Sequence, residues 1–303
     1  RAYRTSGLKT VGFEPARNLV KKYGLEGVTK IITDFFSFSA WQKEYDGRKA
    51  KVITAIAMFY DLNDPNTFMA DMKKCMTDDG LMIIQMLHLP SLLERNAFDG
   101  ICHEHLEYYS LFSLENLLKR HNLEIFDAEF RPINEGSLRF YICKTGYRTS
   151  LKVSRGASER IRLFKEKELR MGINSRKAYV EFVERIQTIR GQTRNFVNQA
   201  IAAGKKIYGY GASTKGNTLL QYFGLNNTQV IAIADRNPDK WGKKTIGTDI
   251  PIISENQARK EKSDYFLILP WHFLDEFKVR EKKYLHAGGK FIVPLPDFTI
   301  IEK

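Results

Sequence analysis

The 303-residue chain is 43% hydrophobic and sets 48 Lys and Arg against 35 Asp and Glu, a formal charge of +13. This balance excludes a disordered chain, and apolar runs such as DYFLILPWHF fall short of the roughly 20 residues that cross a bilayer. Cys75, Cys102 and Cys143 are too few and too scattered for a disulfide framework, so a reducing cytoplasm is expected.

The opening RAYRTSGLKT lacks the apolar core of a secretory signal. TVGFEP then predicts a strand ending in an acidic turn, ARNLVKKYG a helix, and VTKIITDFF a second strand with an acid near its end. KVITAIAMFY predicts a buried strand and PNTFMADMKKCM a helix, after which an Asp78-Asp79-Gly80 turn leads into the strand LMIIQML. Strand–helix alternation with β-branched strands implies a parallel, doubly wound α/β sheet. SLENLLKRHNL predicts a helix with Ser113 as its N-cap. EIFDAEF and SLRFYICK predict two strands joined by a turn at Asn134-Glu135-Gly136.

From Lys144 to Lys206 there are 16 Lys and Arg against 5 Asp and Glu, which concentrates most of the net charge there. Apolar residues recur at helical spacing in this stretch (Tyr179, Phe182, Val183, Ile186, Ile189), so it reads as basic amphipathic helix. A solvated helix face, a surface for anions and a nucleic-acid surface all fit that charge, but no stacking motif or helix-turn-helix pattern accompanies it. The strand–turn–helix pattern then restarts with KKIYGYGASTKGNTLLQYF. VIAIADRNPDKWG, DYFLILP and KFIVPLP supply three more strands of a second, smaller α/β unit running to the end.

Three groups of residues carry chemistry. Glu14 and Asp34, each at a strand's carboxyl end, suit the ribose hydroxyls and adenine of a nucleoside cofactor. The Gly-rich turn that such a cofactor needs should precede Glu14; only thirteen residues do, so an N-terminal truncation is expected. In GYGASTKGNT a strand runs into a glycine turn that opens a helix, an arrangement that binds anions through backbone amides, with Ser213, Lys215 and Asn217 to help. Asp235 lies 24 residues after Gly211, near the spacing of a dinucleotide site, although GxGxxxxG is not the fingerprint. A glycine turn kept for close strand–helix packing fits the same residues, and an NAD-dependent enzyme built on it is a further alternative. In ICHEHLEYYS, a metal site on His103 and His105, an acid–base site and an ordinary wet loop all remain open. The acid–base reading makes a histidine the base, Glu104 its partner, and Tyr108 and Tyr109 donors to an oxyanion.

Together these stretches, with FDGICHEHLEYYSL, NEGSLRFY and IADRNPDKWG…GTDIPI in this order, resemble the S-adenosylmethionine-dependent C-methyltransferases of deoxysugar biosynthesis. The resemblance implies a Rossmann-like class I methyltransferase domain followed by a second, smaller Rossmann-like domain. Our division is a methyltransferase domain at 1–146, a basic helical connector at 147–196 and a nucleotide-sugar-binding domain at 197–303. It implies a nucleotide-linked 4-keto-deoxysugar as substrate, His105 as the base that forms its enolate, and Glu104 beside it. Tyr108 and Tyr60 are catalytic helpers, Tyr60 or Asp61 standing where the family keeps a second histidine. By the same likeness Glu14 and Asp34 hold S-adenosylmethionine. Cys102, Asn134, Ser137, Ser213, Lys215, Asn217 and Asp235 hold the sugar nucleotide, Cys102 standing where the family has Tyr. No metal is assigned to this chain; zinc belongs to an N-terminal domain of the family that is missing here. The reading takes a cytoplasmic monomer without nucleic-acid or membrane partners. A non-catalytic nucleotide-sugar binding protein is the rival.

Overall fold

A computed structural model describes residues 7–23, 27–133, 136–148 and 154–302. The chain forms two compact units, one of residues 1–86, 111–129 and 139–163, the other of 87–110, 130–138 and 164–303. These units interleave along the chain. No helix among the described residues is long and apolar enough to cross a membrane.

In the first unit, β1 (Val11–Phe13) leads through α1 (Arg17–Tyr23) to β2 (Lys30–Ile32), and the two strands pair in parallel with Phe13 opposite Ile32. Next comes α2 (Phe38–Tyr45), capped by Ser37, whose hydroxyl accepts from Ala40 N at 3.2 Å. β3 (Ala50–Ile56) runs through α3 (Pro65–Cys75) to β4 (Met76–Leu87), parallel to it. Asp64 caps α3 by accepting from Thr67 N at 3.0 Å, and Pro65 fills the first helical position, where its missing N–H costs nothing. The predicted Asp78-Asp79-Gly80 turn is absorbed into β4 as an irregularity: Ala50 faces Met76, yet Val52 already faces Leu81. With β5 (Leu123–Arg131) and β6 (Ser137–Lys144) these strands form a four-stranded sheet in the order β3-β4-β6-β5, separate from β1-β2.

The helix expected with Ser113 as its cap begins earlier: α5 spans Leu111–Arg120 and Ser113 lies inside it. Starting there puts Leu111, Leu114, Leu117 and Leu118 on one buried face, and each fully buried leucine contributes about 1.5–3 kcal/mol.

In the second unit, the short α4 (Leu89–Glu94) precedes a 3-10 turn at Phe98–Gly100. The basic region is helical as expected. α6 (Ala157–Met171) straddles the two units, its residues from Phe164 on belonging to the second, and α7 (Arg176–Ala202) lies wholly in the second, burying Phe182, Ile186, Ile189 and Val197. The strands β7 (Ile207–Tyr210), β8 (Ile233–Asp235), β9 (Ile252–Ser254), β10 (Tyr265–Ile268), β11 (Lys290–Val293) and β12 (Thr299–Ile301) form one sheet. Its order is β12-β11-β10-β7-β8-β9, parallel except for β12. Read from the other end, this is the 3-2-1-4-5-6 order of the dinucleotide folds, and its direction reverses between β7 and β10. Ligands of such sheets sit at that reversal, outside the carboxyl ends of the strands. α8 (Thr214–Phe223) follows β7 directly, capped by the Ser213 hydroxyl on Gly216 N at 3.0 Å.

Candidate active site

The chain from Cys102 to His105 makes one tight turn, closed by His105 N donating to Cys102 O at 3.1 Å. His103 and Glu104 occupy its tip and are exposed, while Cys102, His105 and Tyr108 are half-buried. The ring of His105 reaches back to the preceding 3-10 turn, where Nδ1 lies 2.7 Å from Gly100 O. A carbonyl only accepts, so Nδ1 carries the hydrogen and the neutral ring keeps its lone pair on Nε2. The group that orients the imidazole is thus a backbone carbonyl, with the Glu104 carboxylate on the surface beside it. The Tyr108 hydroxyl lies 3.5 Å from the same carbonyl, a long contact. Burial raises the phenols of Tyr108 and Tyr109 above their ordinary value, the Glu107 carboxylate adding to it at Tyr109, so both remain donors at neutral pH. Among the described residues, no three His, Cys, Asp or Glu side chains gather to hold a metal ion.

Both ends of this loop are anchored within the second unit. At the far end, Leu89 N donates to Tyr109 O at 3.0 Å, and His88 pairs with Tyr109 as a parallel bridge. The His88 ring is 2% exposed, with Nδ1 at 2.9 Å from Ser91 Oγ and Nε2 at 3.3 Å from Glu168 Oε1. The carboxylate fixes the hydrogen on Nε2, so Ser91 donates to Nδ1. Burial lowers the pKa of His88, against the pull of Glu168. At the near end, fully buried Asp99 accepts from the indole N–H of Trp271 at 3.1 Å, and the Phe98 ring packs 4.9 Å from Tyr222 and 5.4 Å from Phe223 of α8. Neither Asp99 nor His88 stands out in the sequence.

The second sheet places the other candidates at its carboxyl edge. Gly211, at φ +85°, turns the chain from β7 toward α8, and a Cβ there would stand 2.6 Å from the ring of Pro270, which follows β10. A Cβ on Gly216 would stand 2.9 Å from Leu269 Cβ. These two glycines therefore serve close packing of the turn and helix on β10. Asp235 has both oxygens engaged: Oδ2 accepts from Ala212 N at 2.8 Å and Lys240 Nζ at 3.2 Å, and Oδ1 from Asn237 N at 2.8 Å. It clamps the glycine turn at the place where a dinucleotide fold would turn an acid toward ribose. The helix N-terminus with Ser213, Lys215 and Asn217 remains at the strand reversal, its amide dipoles favouring an anion. Ser137 is buried and donates to Ile133 O at 2.9 Å; Asn134 lies outside the described residues.

In the first unit, Glu14 and Asp34 follow neighbouring parallel strands and so share one carboxyl edge; Glu14 N donates to Ile32 O at 3.1 Å. The Glu14 carboxylate accepts from Ala16 N at 2.9 Å, and that of exposed Asp34 accepts from Phe35 N at 2.8 Å. Tyr60 is buried in a 3-10 turn at Phe59–Asp61, and Asp61 is exposed.

A family model described as "Methyltransferase domain" matches residues 1–128, and one described as "C-methyltransferase C-terminal domain" matches 132–296. The protein is a methyltransferase. C-methyltransferase NovU of Streptomyces niveus is 32% identical over 299 residues, which cover 99% of this chain and 70% of that relative. The chain belongs to this family of C-methyltransferases. Among solved structures, the plantazolicin methyltransferase BpumL, in complex with a desmethyl analogue and SAH, matches at 12% identity and a TM-score of 0.34, over 47% of this chain and 69% of that one. N-methyltransferase NodS from Bradyrhizobium japonicum WM9 matches at 9% and 0.34, over 45% and 74%.

Proposed function

We propose that this protein transfers a methyl group from S-adenosylmethionine to a carbon next to the ketone of a nucleotide-linked 4-keto-deoxysugar, with His105 as the base. The observation that carries the reading is the Nδ1–H contact of His105 with Gly100 O, which leaves Nε2 as the basic nitrogen of a half-buried ring. His105 Nε2 takes the proton from the carbon beside the ketone, and the electron pair moves onto the ketone oxygen. Tyr108, kept protonated by its surroundings, donates to that oxygen. Glu104 and Cys102 flank the base. Ser213, Lys215 and Asn217, at the N-terminus of α8, hold the diphosphate and nucleoside part, while Asp235 keeps the glycine turn in shape. In chain terms the cofactor half is 1–146 and the nucleotide-sugar half is 197–303, joined by 147–196.

The residues of the first unit fit the cofactor. Glu14 and Asp34, on adjacent parallel strand ends, suit ribose hydroxyls and an adenine amino group. S-adenosylmethionine supplies, when bound, the electrophilic methyl group. The test gives the protein this cofactor with a 13C-labelled methyl group, together with the keto sugar nucleotide. The reading predicts the label on carbon beside the ketone. Label on oxygen contradicts it, and no label with the sugar nucleotide bound points to the binding-protein reading.

A further inference from the structure

The 3-10 turn Phe98–Gly100 carries the carbonyl that sets the state of His105, and it is held from outside itself. Asp99 is a fully buried carboxylate one residue before that carbonyl, and its Oδ2 receives the Trp271 indole N–H at 3.1 Å. A buried carboxylate in a turn that apolar Phe98 already anchors is expensive to keep without a directional partner. Trp271 is itself buried and follows Pro270, the residue that the Gly211 turn packs against. One strand end thus supports both the turn at the strand reversal and, through Asp99, the Gly100 carbonyl. We infer that Asp99 and Trp271 are positioning residues of the base, holding the Gly100 carbonyl where it selects the Nδ1–H tautomer of His105. This inference rests on the reading of His105 as the base. It ties the alignment of that base to the strand end that lines the nucleotide crevice, across 172 residues of sequence.

The test reads the tautomer directly. In protein labelled with 15N-histidine, at a pH where the rings are neutral, the His105 resonances are assigned by their loss in His105→Asn. Wild type is expected to show the Nδ1–H form alone. Trp271→Phe keeps the ring and loses the donor, and is expected to populate the Nε2–H form. Asp99→Asn keeps the side-chain shape and an acceptor oxygen but loses the charge, and is expected to show the Nε2–H form to a smaller share than Trp271→Phe, which separates loss of the lock from loss of the fold. In proton exchange with the keto sugar nucleotide, Trp271→Phe is expected to lower kcat with KM little changed. The loss is at least about tenfold, up to the ~10⁴-fold that a wrong histidine tautomer costs in a Ser-His-Asp triad. Retention of the pure Nδ1–H form in Trp271→Phe overturns the inference. That readout needs no substrate, so this failure is distinct from failure of the functional reading, which shows as absence of exchange in wild type.

Discussion

Gly211→Ala tests how tightly the candidate crevice is built. Gly211 sits at φ +85°, where an L-residue pays about 1–2 kcal/mol. Its Cβ would also meet Pro270 Cγ at 2.6 Å and Cδ at 2.7 Å, and a proline ring has no rotamer by which to withdraw. Overpacking of that kind costs about 1–3 kcal/mol, so the variant should lose about 2–5 kcal/mol. At Gly204, φ +72° and just past α7 in the same unit, an added methyl group would meet nothing within 4 Å. Gly204→Ala should therefore cost the backbone term alone, about 1–2 kcal/mol. Any gain from a stiffer unfolded chain is common to both and cancels in the comparison. In urea, with a slope of about 2 kcal/mol/M, the difference separates the two midpoints by roughly 0.5–1.5 M. Equal midpoints would refute the close approach to Pro270.

His88 should make the fold acid-sensitive. Its folded pKa is depressed, so as pH falls below its ordinary ~6.5 the unfolded chain takes up a proton that the folded one refuses, and stability drops by up to about 1.4 kcal/mol per unit. Denaturation midpoints between neutral and mildly acidic pH check this; His88→Gln should flatten the dependence, and an unchanged slope contradicts it. Burial pushes the thiols of Cys75 up to about 12 and Cys143 up to about 11, so the unfolded chain loses protons first and stability falls as pH rises above ~8.5. In the native protein an alkylating reagent followed by mass spectrometry should modify Cys102 and leave those two; rapid modification of either would contradict their burial. Glu14→Ala and Asp34→Ala should each weaken S-adenosylmethionine binding by about tenfold, as loss of a charge-assisted hydrogen bond does. Calorimetry showing unaltered affinity in both would remove them from the cofactor site.

Much of the architecture is legible locally. β6 matches SLRFYICK residue for residue because its alternation and its flanking turn agree. GYGASTKGNT reads as a strand passing through a glycine turn into a helix, and β7 and α8 meet there. The two α/β units follow from strand–helix alternation, but the interleaving of the compact units does not, since it depends on contacts distant in sequence. α2 escapes the sequence pattern because Ala40 is the one residue it fully buries, too little for a periodic signal. Ser113 misleads as a cap because burying Leu111 outweighs it. At the site, His105 and its neighbours stand out in sequence, while the partners that orient them do not. A backbone carbonyl has no letter of its own, and Asp99 and Trp271 meet only in the fold. Asp235 is legible as an acid at a strand end, but its clamping of Ala212 and Asn237 emerges only in three dimensions.

The proposed chemistry turns on removal of a proton from carbon by His105. Proton exchange beside the ketone of a nucleotide-linked 4-keto-deoxysugar, followed in deuterated water by mass spectrometry without S-adenosylmethionine, tests it most directly. Wild-type protein should exchange that proton, and His105→Asn, with its fold intact, should slow the exchange at least about 10²-fold, the lower range of what a positioned base contributes. Exchange at the wild-type rate in the variant would contradict the account.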